Sequence, residues 1–363
     1  MPEIEFAFIE KGQQELTDIW QCRIYSMNGM NDQNNQACIQ KVQKFLLDHE
    51  SENSKLVYAT HGWRDGGTWL LSLAYNIFKR YGYGNIIVGV VQWNTGAHAS
   101  RSITPSRSTK SQKHWYLCKS NICHYGLCCL FPVVSKFYDY GRPSVNTWPV
   151  GNVIAYVHHE ITKDVKPITY CIGFSLGAHV CGFFGKMTRL LNKNEPIYKI
   201  IGLDPAGPMF EHPDHDPELR LNRNNAENVE IWHTNTYQLG FEDAIGHVDL
   251  YINGGGLQPH CPTYENVVLP HQCSHQFARR LFNHLLNNQN LPCYAKWKCK
   301  TRSGADLTNI KKENVDQLES ANCYTKEVED FEVGNLFGVK KNQFGVFWIQ
   351  IDETSKTCKF NHT

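Results

Sequence analysis

Ile168-Thr169-Tyr170-Cys171-Ile172-Gly173-Phe174-Ser175-Leu176-Gly177 is the stretch on which the fold turns. Its first five residues are β-branched or aromatic apart from one cysteine, a run that reads as a buried strand. Ala178 through Lys186 continues after it as a helical pattern. Between the two lies Gly-x-Ser-x-Gly. A strand that turns sharply into a helix forces the central residue into a strained backbone conformation, and the flanking glycines remove the Cβ atoms that would collide. Ser175 then projects its hydroxyl at the carboxyl edge of a sheet. There the helix amino terminus presents unpaired N–H groups and the positive end of its dipole. The bland alternative is a Gly-rich turn with an inert serine, and only the serine's partners can decide between the two.

Outward from this stretch, similar apolar runs recur at Leu56 to Thr60, Ile86 to Trp93, Ile200 to Leu203 and Val229 to Trp232, each bounded by turn residues. Amphipathic helical patterns separate them: Val150, Ile154, Val157 and Ile161 fall at spacings of three and four, and Ala278 to Leu286 repeats the pattern. Strand and helix alternate, which predicts an α/β fold with a mostly parallel central sheet and helices on both faces. At 363 residues the chain is read as a single domain over 1–363. One segment, at about 97–136, breaks the order. It holds no acidic residue, carries Cys118, Cys123, Cys128 and Cys129, and ends in the apolar run Leu130 to Val134. It reads as an insertion: a basic excursion toward anionic lipid headgroups, a disulfide-pinned surface loop, or an error in the translated gene.

Thirty-six basic and thirty-five acidic side chains leave a net charge of +1, so no global field collects nucleic acid or strongly acidic partners. Fourteen cysteines, not spaced as paired Cys-x-x-Cys zinc ligands, point to disulfides in an oxidising, extracellular space. The opening residues show no signal peptide, and the cysteine usage predicts that a leader lies outside this sequence. Asn361-His362-Thr363 has the form of a glycosylation acceptor and adds little.

A serine hydroxyl is a poor nucleophile near neutrality. It needs a histidine base, and the histidine needs a carboxylate to fix its tautomer and stabilise its charged form. Asp204 follows the apolar run ending at Leu203 and precedes Pro205-Ala206-Gly207-Pro208, which places a carboxylate on a loop at a strand's end. An aspartate that merely caps the turn is the plainer reading of that position. Among seventeen histidines, position decides. His275 lies after the acid, in a loop directly before the helical pattern from Phe277, with Cys273 beside it for a disulfide. His233 also lies after the acid but closes a strand, which suits a structural, hydrogen-bonded histidine. The oxyanion formed during acyl transfer needs two backbone donors. Leu176 N–H, next to the nucleophile, is one; Trp63 N–H is the other, because Gly62 permits the tight turn that aims it inward.

These residues resemble, in order along the chain, the motifs of the animal neutral lipases, the family that includes pancreatic lipase and the phospholipase A1 enzymes of arthropod venoms. His61-Gly62-Trp63 is similar to the family's oxyanion loop, Gly173 to His179 to its nucleophile elbow, and Gly202 to Ala206 to its acid loop. Gly246 to Asp249, with Asn253-Gly254-Gly255 and Gln258-Pro259, resembles the segment leading to its lid, and Cys273-Ser274-His275 resembles its histidine motif. The resemblance covers about 55–280. It implies an α/β-hydrolase fold and a secreted carboxylic ester hydrolase working at lipid surfaces, with Ser175, Asp204 and His275 catalytic and with no metal or organic cofactor.

Departures refine the expectation. Phe174 stands where the family often has histidine, and the segment at 97–136 has no counterpart. Where the pancreatic enzymes hold calcium, this chain reads Glu218-Leu219-Arg220-Leu221-Asn222 with Asn225 beyond, amides in place of carboxylates, so calcium is not expected. Fewer than ninety residues follow His275, too few for the family's C-terminal sandwich domain, so no colipase-type partner is expected. The family's lid is bracketed by a disulfide. Here Cys261 and Cys273 bracket only Pro262 to Gln272, which resembles the short lid of the phospholipase A1 branch. A short lid leaves room for a polar headgroup, so phospholipid sn-1 ester hydrolysis is the first expectation and triacylglycerol hydrolysis the second. The rival readings are a yolk-type lipid-binding protein without the chemistry and a hydrolase of small soluble esters. A local bridge between Cys299 and Cys323 is also expected.

Overall fold

Each run read as a strand forms one; α-helices occupy the intervals up to Ile197, and two short 3-10 turns, Pro217–Leu219 and Arg223–Asn225, stand between Leu203 and Ala226. The computed structural model describes residues 2–11, 19–49, 54–82, 84–97, 140–211, 216–236, 238–261, 268–288, 293–297, 331–338, 345–349 and 351. The expected insertion beyond Ala97, Cys299 and Cys323 lie outside these residues. In chain order the described strands are β1 (Glu5–Lys11), β2 (Ile19–Tyr25), β3 (Lys55–Thr60), β4 (Ile86–Gln92), β5 (Ile168–Phe174), β6 (Ile197–Leu203), β7 (Ala226–His233), β8 (Val248–Ile252), β9 (Cys293–Trp297), β10 (Phe331–Val333) and β11 (Gly345–Ile349). The described helices are α1 (Gln33–Asp48), α2 (Thr68–Tyr81), the single turn α3 (Asn94–Ala97), α4 (Gly141–Ile161), α5 (Leu176–Leu191) and α6 (Val268–Asn287).

The strands hydrogen-bond in the order β10-β9-β11-β8-β7-β6-β5-β3-β4-β1-β2. From β4 through β3, β5, β6, β7 and β8 to β11 every pairing is parallel. Antiparallel strands close both edges, β1 and β2 beyond β4, β9 and β10 beyond β11. Side chains alternate across this sheet, so each strand feeds two cores. Leu56 and Tyr58 of β3 pack on one face with α1, α4 and α5, through residues such as Val42, Ile154 and Val180. Val57 and Ala59 pack on the other with α2 and α6, through Leu73, Ile77, Phe277 and Leu281. Strand β5 divides likewise: Cys171 faces α5, while Tyr170, Ile172 and Phe174 face α2 and α6. This is the α/β-hydrolase arrangement, with its strand carboxyl ends gathered at one rim.

One expectation is corrected. His275 does not stand in a loop before a helix from Phe277, because α6 already begins at Val268 and carries it. Pro270 reads as a breaker, but in the first turn of a helix its missing N–H has no intrahelical partner to lose. The bracketed lid run is also partly helical, since its last five residues open α6; 262–267 lie outside the described residues. Among the described residues, no helix is long and apolar enough to cross a membrane.

Candidate active site

Ser175 sits between β5 and α5 with φ 57° and ψ −120°, a backbone conformation that side-chain-bearing residues rarely adopt. Its neighbours hold it there. Ser175 N–H donates to Leu203 O at 3.0 Å and Ser175 O accepts from Ala206 N–H at 3.3 Å, so the elbow is stitched to the end of β6. The glycine spacing has a direct cause: a Cβ on Gly173 would stand 2.2 Å from Gly177 O, and one on Gly177 would stand 2.7 Å from Thr60 O and His61 O. A buried disulfide, Cys171 to Cys181, ties β5 to α5 across the same turn.

The β6 strand ends at Leu203 and delivers Asp204, whose carboxylate is fully buried. Its Oδ1 accepts from Thr234 N–H at 2.7 Å and Asn235 N–H at 3.1 Å, and its Oδ2 lies 2.6 Å from His275 Nδ1. A carboxylate can only accept, so Nδ1 carries the proton and Nε2 is left as the basic nitrogen. Gly240 closes over the carboxylate, where any Cβ would come within 2.5 Å of Oδ1. The His275 ring lies 4.8 Å from the Phe174 ring, next to the serine in sequence. By contrast, both nitrogens of His233 face acceptors, Nδ1 at 3.0 Å from Phe241 O and Nε2 at 2.9 Å from Asp249 Oδ1. Both of its nitrogens are engaged by these two partners, and neither contact is with Asp204 or Ser175.

The loop His61-Gly62-Trp63 leaves β3 and meets the elbow at Gly62, where an added Cβ would lie 2.8 Å from Ser175 Cβ. His61 anchors it: Nε2 accepts from Trp93 N–H at 3.2 Å, its carbonyl accepts from Trp93 Nε1 at 3.0 Å, and the two rings stack. Trp63 packs edge-on to Tyr140 at 5.2 Å. Leu176 opens α5, so its N–H belongs to the unpaired first turn of a helix.

His179, one turn into α5, braces the acid loop, a part that position and type alone did not reveal. Nδ1 accepts from Leu221 N–H at 3.2 Å, so Nε2–H donates to Ala206 O at 2.8 Å, and the ring stacks on Phe210 at 3.7 Å. Complete burial holds its pKa down to about 3, so it is neutral. The amides read in place of calcium ligands are engaged locally: Asn225 Oδ1 accepts from Asn222 N–H and Asn222 Oδ1 from Asn224 N–H, each at 2.8 Å. Among the described residues one cluster has metal-ligand types, His260, Cys261 and Cys273, and its two sulfurs are bonded to each other.

The family model described as Lipase matches residues 134–305. "Lipase member H" of Rattus norvegicus is 30% identical over 267 residues, covering 72% of this chain and 49% of that protein. "Lipoprotein lipase" of Gallus gallus is 28% identical over 271 residues, covering 69% and 46%. Over much of its length the chain is similar to the animal, pancreatic-type lipases. A second "Lipase member H", from Xenopus tropicalis, is 47% identical over 125 residues, covering 34% of this chain and 26% of that protein. The chain spans about half the length of the first relatives it matches.

Proposed function

We propose that this chain hydrolyses carboxylic esters of lipids through an acyl-enzyme on Ser175. The observation that carries the reading is the 2.6 Å pairing of His275 Nδ1 with the buried Asp204 carboxylate, beside a strained serine elbow. In the first half-reaction, His275 Nε2 takes the Ser175 proton as Oγ attacks the ester carbonyl. The N–H groups of Trp63 and Leu176 hold the oxyanion, and His275 then protonates the departing alcohol oxygen. In the second, water activated by the same nitrogen releases the fatty acid. Asp204 supports the imidazolium in both, with its second oxygen already held by Thr234 and Asn235.

The preferred substrate in this reading is the sn-1 ester of a phospholipid, presented at a membrane or lipid aggregate, as in the phospholipase A1 branch. The short span between Cys261 and Cys273, joined by a disulfide, supports it. Triacylglycerol is the second substrate class. Three disulfides among the described residues fit an extracellular protein, and secretion is part of the proposal. The test is fatty-acid release from mixed phosphatidylcholine and triolein emulsions, run beside Ser175→Ala. Release that is lost in Ser175→Ala supports the serine mechanism, and the ratio of the two products ranks the substrates. Folded wild-type protein that releases nothing leaves the lipid-binding alternative.

A further inference from the structure

Asp65, Trp69, Phe174 and Arg279 form a cluster beside the proposed triad that joins the oxyanion loop, the serine elbow and the helix carrying His275. Arg279 lies one helical turn after His275 on α6, with 18% of its side chain exposed, and its Nη1 is 3.8 Å from Asp65 Oδ2. The guanidinium carbon stands 5.3 Å from the Phe174 ring centre and 5.5 Å from that of Trp69. Asp65 Oδ2 also accepts from Trp69 Nε1 at 2.9 Å, and Oδ1 accepts from Gly67 N–H at 3.2 Å. Phe174 meets Trp69 edge-on at 6.3 Å and lies against the His275 ring at 4.8 Å.

A largely buried cation is costly, and here its compensation is a long ion pair and two aromatic faces, while its buried Nε has no hydrogen-bond partner among the described residues. Breaking such a pair is destabilising, but an apolar side chain of the same size packs at least as favourably, so stability alone does not call for an arginine. The cluster does tie together chain segments that are far apart in sequence. Asp65 ends the oxyanion loop two residues after Trp63, Phe174 immediately precedes the serine, and Arg279 rides on the helix of the general base. Phe174 is common to both ends, touching the guanidinium and the imidazole alike.

We propose that Asp65, Phe174 and Arg279 act as positioning residues that hold the His275 ring and the oxyanion loop in mutual register. None of them touches the reacting atoms. Arg279 seats Phe174 against His275, and its pull on Asp65 sets how closely the oxyanion loop approaches α6. The proposal rests on the hydrolase reading above.

The test measures kcat, KM and thermal midpoint of the full chain on p-nitrophenyl butyrate, a soluble ester that removes any lipid interface. Arg279→Met and Asp65→Asn each lower kcat by about tenfold with KM within about twofold, because a displaced base and donor affect the transition state and not ground-state binding. Asp65→Asn keeps the size of the side chain and one of its two acceptors, for Trp69 Nε1–H or for Gly67 N–H, and is the second variant should Arg279→Met fail to fold. Arg279→Lys recovers most of the lost rate, since an ammonium keeps the charge over the rings. The double variant is no slower than either single one, as expected of groups acting as a unit. Folded variants with wild-type kcat, beside an inactive Ser175→Ala, overturn the positioning role and leave the hydrolase reading standing. A rate loss that only follows loss of folded protein also overturns it. Wild-type protein inactive on this ester and on lipid removes the hydrolase reading and the positioning role together.

Discussion

Gly62→Ala probes whether the oxyanion loop and the nucleophile elbow are held at contact. The new Cβ would stand 2.8 Å from Ser175 Cβ, 3.0 Å from Phe174 O and 3.3 Å from Ser175 Oγ. Non-bonded carbons settle at about 3.5 Å or beyond, so the two segments must part by roughly 0.7 Å. The elbow side is the less able to yield: Phe174 O belongs to the paired strand β5, and Ser175 is fixed by its bonds to Leu203 and Ala206. The loop therefore moves, taking the Trp63 N–H away from the developing oxyanion. A misplacement of about 1 Å costs on the order of 100-fold in rate, and outright loss of one oxyanion donor costs about 100- to 1000-fold. The expected fall in kcat on a soluble ester is about 30- to 100-fold, or roughly 2–3 kcal/mol of transition-state stabilisation, with KM within about twofold. Overpacking lowers stability by about 1–3 kcal/mol, which thermal unfolding registers separately. Gly66→Ala is the control, because a Cβ there meets nothing within 4 Å on the same loop. Folded Gly62→Ala protein with kcat within threefold of wild type would refute the contact argument.

Two further outcomes follow from groups outside the reaction itself. Opening the Cys171–Cys181 bridge with Cys171→Val and Cys181→Ala removes a cross-link over a sequence separation of 10, worth about 3 kcal/mol by the chain-entropy estimate; denaturant unfolding that changes by under about 0.5 kcal/mol contradicts that value. Acidification destabilises the fold through His158 and His179, both lowered from 6.5 to about 3 chiefly by burial. Because the folded-state values are depressed, the unfolded chain binds the extra protons; the stability is fully present above about pH 6.5 and is lost as pH falls toward 3. Each histidine contributes a slope of roughly 1.4 kcal/mol per pH unit within that window. A His158→Gln variant whose stability falls between pH 6 and 4 as steeply as wild type counts against this account.

The parts of the molecule that were legible in the sequence share a physical origin. The Ser175 elbow declares itself because backbone strain at one residue dictates which neighbours lack a Cβ, and the collisions at Gly173 and Gly177 are the reason for that spacing. Asp204 is legible because a carboxylate at the end of an apolar run, before Pro205 and Gly207, has few other places to go. The parallel strands were readable for the same local reason, since burial on both faces makes each a continuous apolar run. What escaped depends on partners distant in the chain. Strands β1 and β2 exist by pairing outward from β4, and nothing adjacent to Phe6 or Phe8 announces that edge. Thr234 and Asn235 support the acid only because β7 ends beside β6.

Arg279 marks the boundary most sharply. In a helix containing Arg280 it reads as another solvated cation, and its sequence neighbours carry no sign that Phe174 and Trp69 will close over it. The difference between the two arginines is one of environment alone: Arg280 is exposed and bonds Gln276 on its own helix, while Arg279 turns toward the oxyanion loop. A local pattern can specify a backbone, because strain is a property of adjacent residues. The energy of a charge depends on everything packed around it, so the residues proposed to tune this site became visible only once the sheet had brought β3, β5 and α6 to a common rim.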